Sequence, residues 1–217
     1  MAEWHPAFEE YCETIFELGE DDIRVVQARI ADRLDVSRPA VSEMTQRMLR
    51  AELIELDGNV ITLTAGGQEL AERVVRRHRL AERFLTDILG LSWADAHREA
   101  GKWEHVISEP VESALTRVLG EPTTCPHGNP IPGSAYAPPT LAPLADAPAG
   151  ARFTIERITE ELEFTDGVLD FLESSHLTPG SIGSIVDEAD DGSLTVEVAG
   201  DRVLVTEFAS KRILVSL

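Results

Sequence analysis

From Pro6 to Leu18 the apolar residues Phe8, Cys12, Ile15, Phe16 and Leu18 recur at helical spacing, which predicts a first amphipathic helix. A second helix is expected around Val25 to Leu34, followed by Asp35-Val36-Ser37, where Asp35 or Ser37 can cap a third helix over about Arg38 to Ala51. Pro39 falls in the first turn of that third helix, where a missing N–H costs nothing. The runs LIEL and VITLT then flank Asp57, Gly58 and Asn59 and read as a β-hairpin. Three helices followed by a hairpin is the order of a winged helix-turn-helix.

Downstream, Thr64 is placed to cap a long helix from Ala65 to Leu89, with further helices over Ala94 to Ile107 and Val111 to Leu119. Leu80, Phe84, Leu85, Ile88, Trp103 and Val106 give them broad apolar faces, for which a dimer interface is the expected destination. The segment AYAPPTLAPLADAPAG, 135–150, has four prolines and reads as a semi-rigid linker. Beyond it RFTIERI, SIGSIVDEA, SLTVEVA, DRVLVTEFA and RILVSL alternate as strands, interrupted by a short helix over Val168 to Glu173, and predict a small β-barrel. The fold class is mainly α with β, divided as 1–66, 67–134, a linker 135–150, and 151–217.

Composition changes the picture through charge. The chain of 217 residues has a formal net charge of −20, with 17 arginines but only two lysines, Lys102 and Lys211. This points to a halophilic setting, where dense carboxylates keep a protein in solution and salt screens their repulsion. No apolar run reaches the roughly 18 residues that a bilayer span needs, and the acidic start MAEWHPAFEE lacks the apolar core of a signal peptide. A cytoplasmic location without a membrane partner is therefore expected.

The distribution of charge matters more than its sum. Between Arg24 and Arg50 six arginines face three acids, so this block is net positive in a very negative chain, as contact with DNA phosphates requires. The third helix has Ser37, Pro39, Ala40, Ser42 and Glu43 at its start, where base edges are met. Arg29, Arg38, Arg47 and Arg50 are placed for the backbone, and Glu43 could accept from cytosine. Residues 151–217 carry 14 acids against five bases and are not expected to hold DNA.

Candidate metal ligands follow the helices. His78 and Glu82 are one turn apart, and His97 and Glu104 are two turns apart with His105 beside them. Glu10 and Glu13 are neighbours on the first helix. Imidazole and carboxylate together suit Mn, Fe, Co or Zn. In the turn CPHGNPIPG, Cys125 and His127 are held two residues apart by glycine and proline, whereas Cys12 lies on an apolar helix face and reads as core. There is no HExxH, and the candidate ligands sit on a helical scaffold rather than around a substrate cleft, which argues against a zinc hydrolase.

The segments RIADRLDVSRPAVSEMTQRM, RRHRLAERFLTDILGL, AHREAGKWEHVISE and CPHGNPIPG together resemble the diphtheria-toxin-repressor and manganese-transport-regulator family of metal-dependent repressors. The resemblance implies a winged-helix domain, a helical dimerisation domain, a C-terminal SH3-like domain, a homodimer on double-stranded operator DNA, and divalent metal as corepressor. It implies one metal site from Glu10, Glu104 and His105, with Glu13 and His78 matching ligands of manganese-type members. It implies a second site from Glu82, Cys125, His127 and an acid of the C-terminal domain, Asp166 or its competitor Asp170, and it matches His97 to an ancillary ligand. Gly101 departs from the pattern, falling where relatives carry cysteine or glutamate. Mn2+ is the expected metal. Fe2+ is the alternative, and a metal-independent winged-helix regulator is a third reading.

Overall fold

The computed structural model describes residues 6–217. Helices α1 (Pro6–Glu20), α2 (Gln27–Leu34) and α3 (Arg38–Arg50) precede a hairpin of β1 (Ile54–Asp57) and β2 (Val60–Leu63). Asp35 ends α2 in the left-handed region at φ +50°, so Ser37 is the residue that caps α3, its hydroxyl accepting from the Ala40 N–H at 3.3 Å. Asp57 pairs with Val60 across a two-residue turn in which Gly58 takes φ +61°. Tyr11, Cys12, Ile15 and Leu18 of α1 join Ile30, Val41, Met48, Leu53 and Ile61 in one core.

Helix α4 (Ala65–Arg83) starts at Thr64, whose hydroxyl accepts from Gly67 N–H at 3.1 Å. The long helix predicted to Leu89 continues past Arg83 as a π-turn over Phe84–Ile88, where the Thr86 hydroxyl donates to the Glu82 carbonyl. Helices α5 (Trp93–Trp103) and α6 (Glu109–Val118) pack on it through Ala81, Leu85, Ala96, Ala100, Ile107 and Leu115. Ile88, Leu89, Val106, Val111 and Val118 stay exposed on this helical part.

The C-terminal part contains β3 (Ala142–Pro143), β4 (Arg152–Ile158), α7 (Glu160–Glu163), α8 (Val168–Ser174), β5 (Ile182–Glu188), β6 (Leu194–Val198), β7 (Asp201–Val205), α9 (Glu207–Ser210) and β8 (Ile213–Ser216). Its antiparallel sheet runs β3-β8-β4-β5-β6-β7 around a core that includes Phe153, Ile155, Val196, Val205 and Ile213. Two expectations change here. Glu207–Ala209, read as the end of a strand, belongs to a helical turn over Glu207–Ser210, because Thr206 caps it by accepting from Ala209 N–H at 3.3 Å. Ala142–Pro143, read as linker, pairs with β8 as an edge strand, one of the few places in a sheet that tolerate proline.

One ion network closes the three parts on each other. Arg79 of α4 is 1% exposed and donates to Glu20 of α1 at 2.6 Å, to Glu160 of α7 at 2.8 Å, and to the Pro130 carbonyl. Arg157 of β4 adds bonds to Glu20 at 3.1 Å and Asp21 at 2.7 Å. Among the described residues no helix is long and apolar enough to cross a membrane.

Candidate metal centre and DNA-binding surface

A first cluster joins α1 to the helical part. Ligand atoms of Glu13, His78 and Glu104 lie within 4.8 Å of one another, and His78 Nδ1 is 2.5 Å from Glu104 Oε2. Glu13 Oε1 is buried without a hydrogen-bond partner among the described residues, which is the condition of an atom that a cation would satisfy. Burial and the neighbouring Glu104 carboxylate raise the Glu13 carboxyl well above its usual range. His105 flanks the cluster, 3.2 Å from Glu104 Oε1 through Nε2 and 2.9 Å from Glu9 Oε2 through Nδ1.

Glu9, whose carboxylate reaches His105, is not among the ligands expected from the sequence. Glu9 and Glu13 are one turn apart on the inner face of α1, whereas Glu10, the expected ligand, is rotated about 100° away and exposed. Gly101 lies about one turn before Glu104 and His105, and a Cβ added there would meet nothing within 4 Å. Position 101 is therefore open space, not a crowded one.

A second cluster centres on Glu82. Its Oε1 is 2.9 Å from His97 Nδ1, 3.2 Å from His78 Nε2 and 3.5 Å from His127 Nδ1. Cys125 Sγ lies 3.9 Å from His127 Nδ1, and Glu82, Cys125 and His127 could share one ion, as could His78, Glu82 and His97. His127 Nε2 is a second buried atom without a hydrogen-bond partner among the described residues. The donor set of carboxylate, imidazole and one thiol fits a divalent transition metal.

The backbone makes the second cluster's turn rigid. Gly128 takes φ +88°, and a Cβ there would sit 2.1 Å from the Glu156 carbonyl, so only glycine allows the turn to lie against β4. The Ile158 N–H donates to the His127 carbonyl at 2.8 Å, and Trp93 meets the His127 ring edge-on at 4.6 Å.

The C-terminal acid that reaches this cluster is Glu163. Its Oε2 is 2.8 Å from His127 Nδ1 and 3.4 Å from His97 Nδ1, and its Oε1 accepts from the Asn129 amide at 2.6 Å. Asp166 and Asp170, the expected acids, are exposed at the rim of a shallow cavity beside His97. The cause is α7: its single turn points Glu160 and Glu163 inward, and the chain has left the cluster by Asp166. Cys12 lies in the winged-helix core, its thiol pushed up to about 12 by burial and by Glu9.

The electrostatics of the second cluster couple metal to protons. Burial opposes charge on His78 and His127, but the carboxylates around them win and raise both imidazoliums well above the usual histidine range. Burial works the other way on Glu82, yet His127 and His78 hold its carboxyl well below the usual range. A metal must displace those protons, so its apparent affinity is expected to tighten as pH rises, with calorimetric heats that vary with the buffer's ionisation enthalpy. Glu17 of α1 is pushed up to about 8, chiefly by burial and then by Glu160. Groups raised in the folded chain favour it while protonated, so in chelator the melting temperature should fall as pH rises through 8. A flat profile in chelator, or heats that ignore the buffer, would contradict this linkage.

The winged-helix surface presents Ser37, Arg38, Pro39, Ala40, Ser42, Glu43 and Arg50 to solvent on α3, with Arg29 exposed on α2. Val41, Thr45 and Met48 face inward on the opposite side of α3. Arg47 is half-buried, its guanidinium 5.3 Å from the centre of the Phe8 ring. Arg33, part of the positive block, is turned away from this surface and bonds Glu17 at 3.1 Å.

Comparison with known proteins agrees across the chain. Residues 5–59 match the iron-dependent repressor N-terminal DNA-binding domain family, and residues 64–133 match the iron-dependent repressor metal-binding and dimerisation domain family. Residues 142–217 match the FeoA domain. The iron-dependent repressor IdeR of Mycobacterium tuberculosis is 38% identical over 204 residues, 88% of each chain. The diphtheria toxin repressor of Corynebacterium diphtheriae is 38% identical over 205 residues, 90% of each. A manganese-dependent transcriptional repressor solved with manganese superposes with a TM-score of 0.87 at 28% identity, over 97% of this chain and 100% of that one. IdeR of T. acidophilum superposes at 0.80 with 28% identity, over 96% of this chain and 97% of that one. The winged helix, the helical dimerisation part and the β-rich C-terminal part are thus those of the family that the sequence resembles, and the chain belongs to the iron-dependent, diphtheria-toxin-repressor family of metal-dependent transcriptional repressors.

Proposed function

We propose that this chain is a cytoplasmic, dimeric repressor of metal-homeostasis genes with Mn2+ as its preferred corepressor. The observation that carries this reading is the first cluster, where Glu13 of the DNA-binding part meets His78 and Glu104 of the dimerisation part. Its donors are oxygen and nitrogen with no sulfur, a set suited to Mn2+. A bound ion would supply the positive charge that draws these carboxylates together and so fixes α1 against α4 and α5. In a dimer that sets the separation of the two α3 helices, and one separation fits successive major grooves. Ser37, Pro39, Ala40, Ser42 and Glu43 would then face base edges, while Arg29, Arg38, Arg47 and Arg50 would hold phosphates.

Fe2+ is the second reading, favoured by the His78–Glu82–His97 grouping and by relatives named for iron. The test is fluorescence anisotropy of a duplex from the protein's own promoter, in high-potassium buffer with chelator, Mn2+, anaerobic Fe2+ or Zn2+. Tight binding is expected with Mn2+ and not in chelator, and His105→Ala should remove the metal response while leaving a folded dimer. Better binding with Fe2+ would assign the protein to iron. Binding indifferent to chelator would remove the metal switch, and an unchanged response in His105→Ala would remove His105 from the site.

A further inference from the structure

Within five residues, helix α7 and its successor Phe164 touch three separate parts of the molecule. The Glu160 carboxylate pairs with Arg79 of α4 at 2.8 Å. Glu163 reaches His127 and His97 of the second cluster at 2.8 Å and 3.4 Å. The third part is α2, the first helix of the helix-turn-helix pair. Its Arg33 stacks on Phe164, the guanidinium carbon 3.7 Å from the ring centre, and donates to the Glu160 carbonyl at 3.4 Å. The Phe164 ring also meets the His97 ring edge-on at 5.2 Å.

Arg33 is chemically out of place for a phosphate contact. Its side chain is 7% exposed and faces Glu17 and the C-terminal part, not the surface carrying Ser37 and Arg38. Phe164 is equally out of place as core, because it remains 49% exposed and its removal would open no sealed cavity. What the two side chains do share is a cation–π contact that bridges two domains.

We infer that Phe164 is a positioning residue for DNA binding, clamping Arg33 so that α7 transmits the state of the second cluster to α2 and α3. Glu163 and Phe164 are adjacent on one short rigid turn, so a shift of the Glu163 carboxylate against His127 moves the ring under Arg33. The inference rests on the metal-regulated reading above. Because coupling between sites is reciprocal, DNA held by α3 must in turn alter metal affinity at the second cluster.

The experiment uses the full-length dimer carrying Phe164→Ala, Phe164→Leu or Phe164→Tyr. Duplex affinity is measured by anisotropy in chelator and in saturating Mn2+, and Mn2+ binding without DNA is measured by calorimetry. The ratio of the two duplex affinities is expected to fall about tenfold in Phe164→Ala, the weight of one partly desolvated cation–π contact. Phe164→Leu, which keeps bulk but has no π face, should fall with it, and Phe164→Tyr should restore the ratio. Mn2+ affinity without DNA should stay within about twofold throughout. An unchanged ratio in the Ala and Leu variants overturns the inference, and so does a loss that tracks weakened Mn2+ binding, which would mean that the ring only shapes His97. A wild-type ratio near one would take down the metal-regulated reading as well, so the two failures are distinguishable.

Discussion

Glu82→Gln is expected to leave a folded dimer that has lost its second cluster and the share of the metal dependence of its DNA binding that this cluster carries. Glu82 is 1% exposed, and one oxygen serves His78, His97 and His127 together. Glutamine keeps the volume and can still accept one hydrogen bond, but it removes the charge that raises the two imidazoliums. Replacing groups that merely orient a ligand typically costs ten- to a hundredfold in metal affinity, so losing a shared carboxylate should cost at least about a hundredfold, or about 2.7 kcal/mol. Calorimetry should then show one weakened class of sites, and histidine resonances followed by NMR should titrate at lower pH than in the wild type. Metal binding that survives Glu82→Gln undiminished would mean that the second cluster is an ion-pair network and not a ligand set.

Arg79→Met is expected to be the most destabilising single change on the polar side of the molecule. It strips the cation from Glu160, leaves Glu20 with Arg157 alone, and leaves the Pro130 carbonyl without its donor. Breaking one side of a buried ion network typically costs about 3–5 kcal/mol, because the remaining charges stay desolvated. Adding Glu160→Gln to Arg79→Met should recover part of the loss, since the orphaned charge is then gone as well. Urea denaturation at fixed metal concentration would measure both. A loss below about 1 kcal/mol would show that water reaches these carboxylates once the arginine is gone.

The helical parts of the fold were legible because their signals are local and redundant. In α3 an apolar stripe, a Ser37 cap and Pro39 all point to one boundary, and the Asp57–Val60 turn needs only Gly58 and its neighbours. The second cluster was legible in Cys125 and His127, since glycine and proline impose the turn that presents them. Two acids that reach the clusters were not. Glu163 sits in the run EELE, where four residues show no periodicity, and only docking against α1 and α4 decides which carboxylate turns inward. Glu9 and Glu10 differ by one step along α1, and the direction of that step is set by how Tyr11, Cys12 and Ile15 seat the helix. Ligand identity is legible to the nearest turn, and the last 100° belongs to packing.

His78 places its two ring nitrogens in different neighbourhoods, Nδ1 toward Glu104 and Nε2 toward Glu82 and His97. A neutral imidazole has only one lone pair in the ring plane to give, the other nitrogen keeping its hydrogen. Two ions arriving in sequence would therefore bid for a single electron pair, and the first to claim it would lower what the second can gain. A stepwise metal titration would consequently be shallower than that of two independent sites. The concentration window over which the chain answers to metal would widen accordingly, giving a graded rather than an all-or-none response.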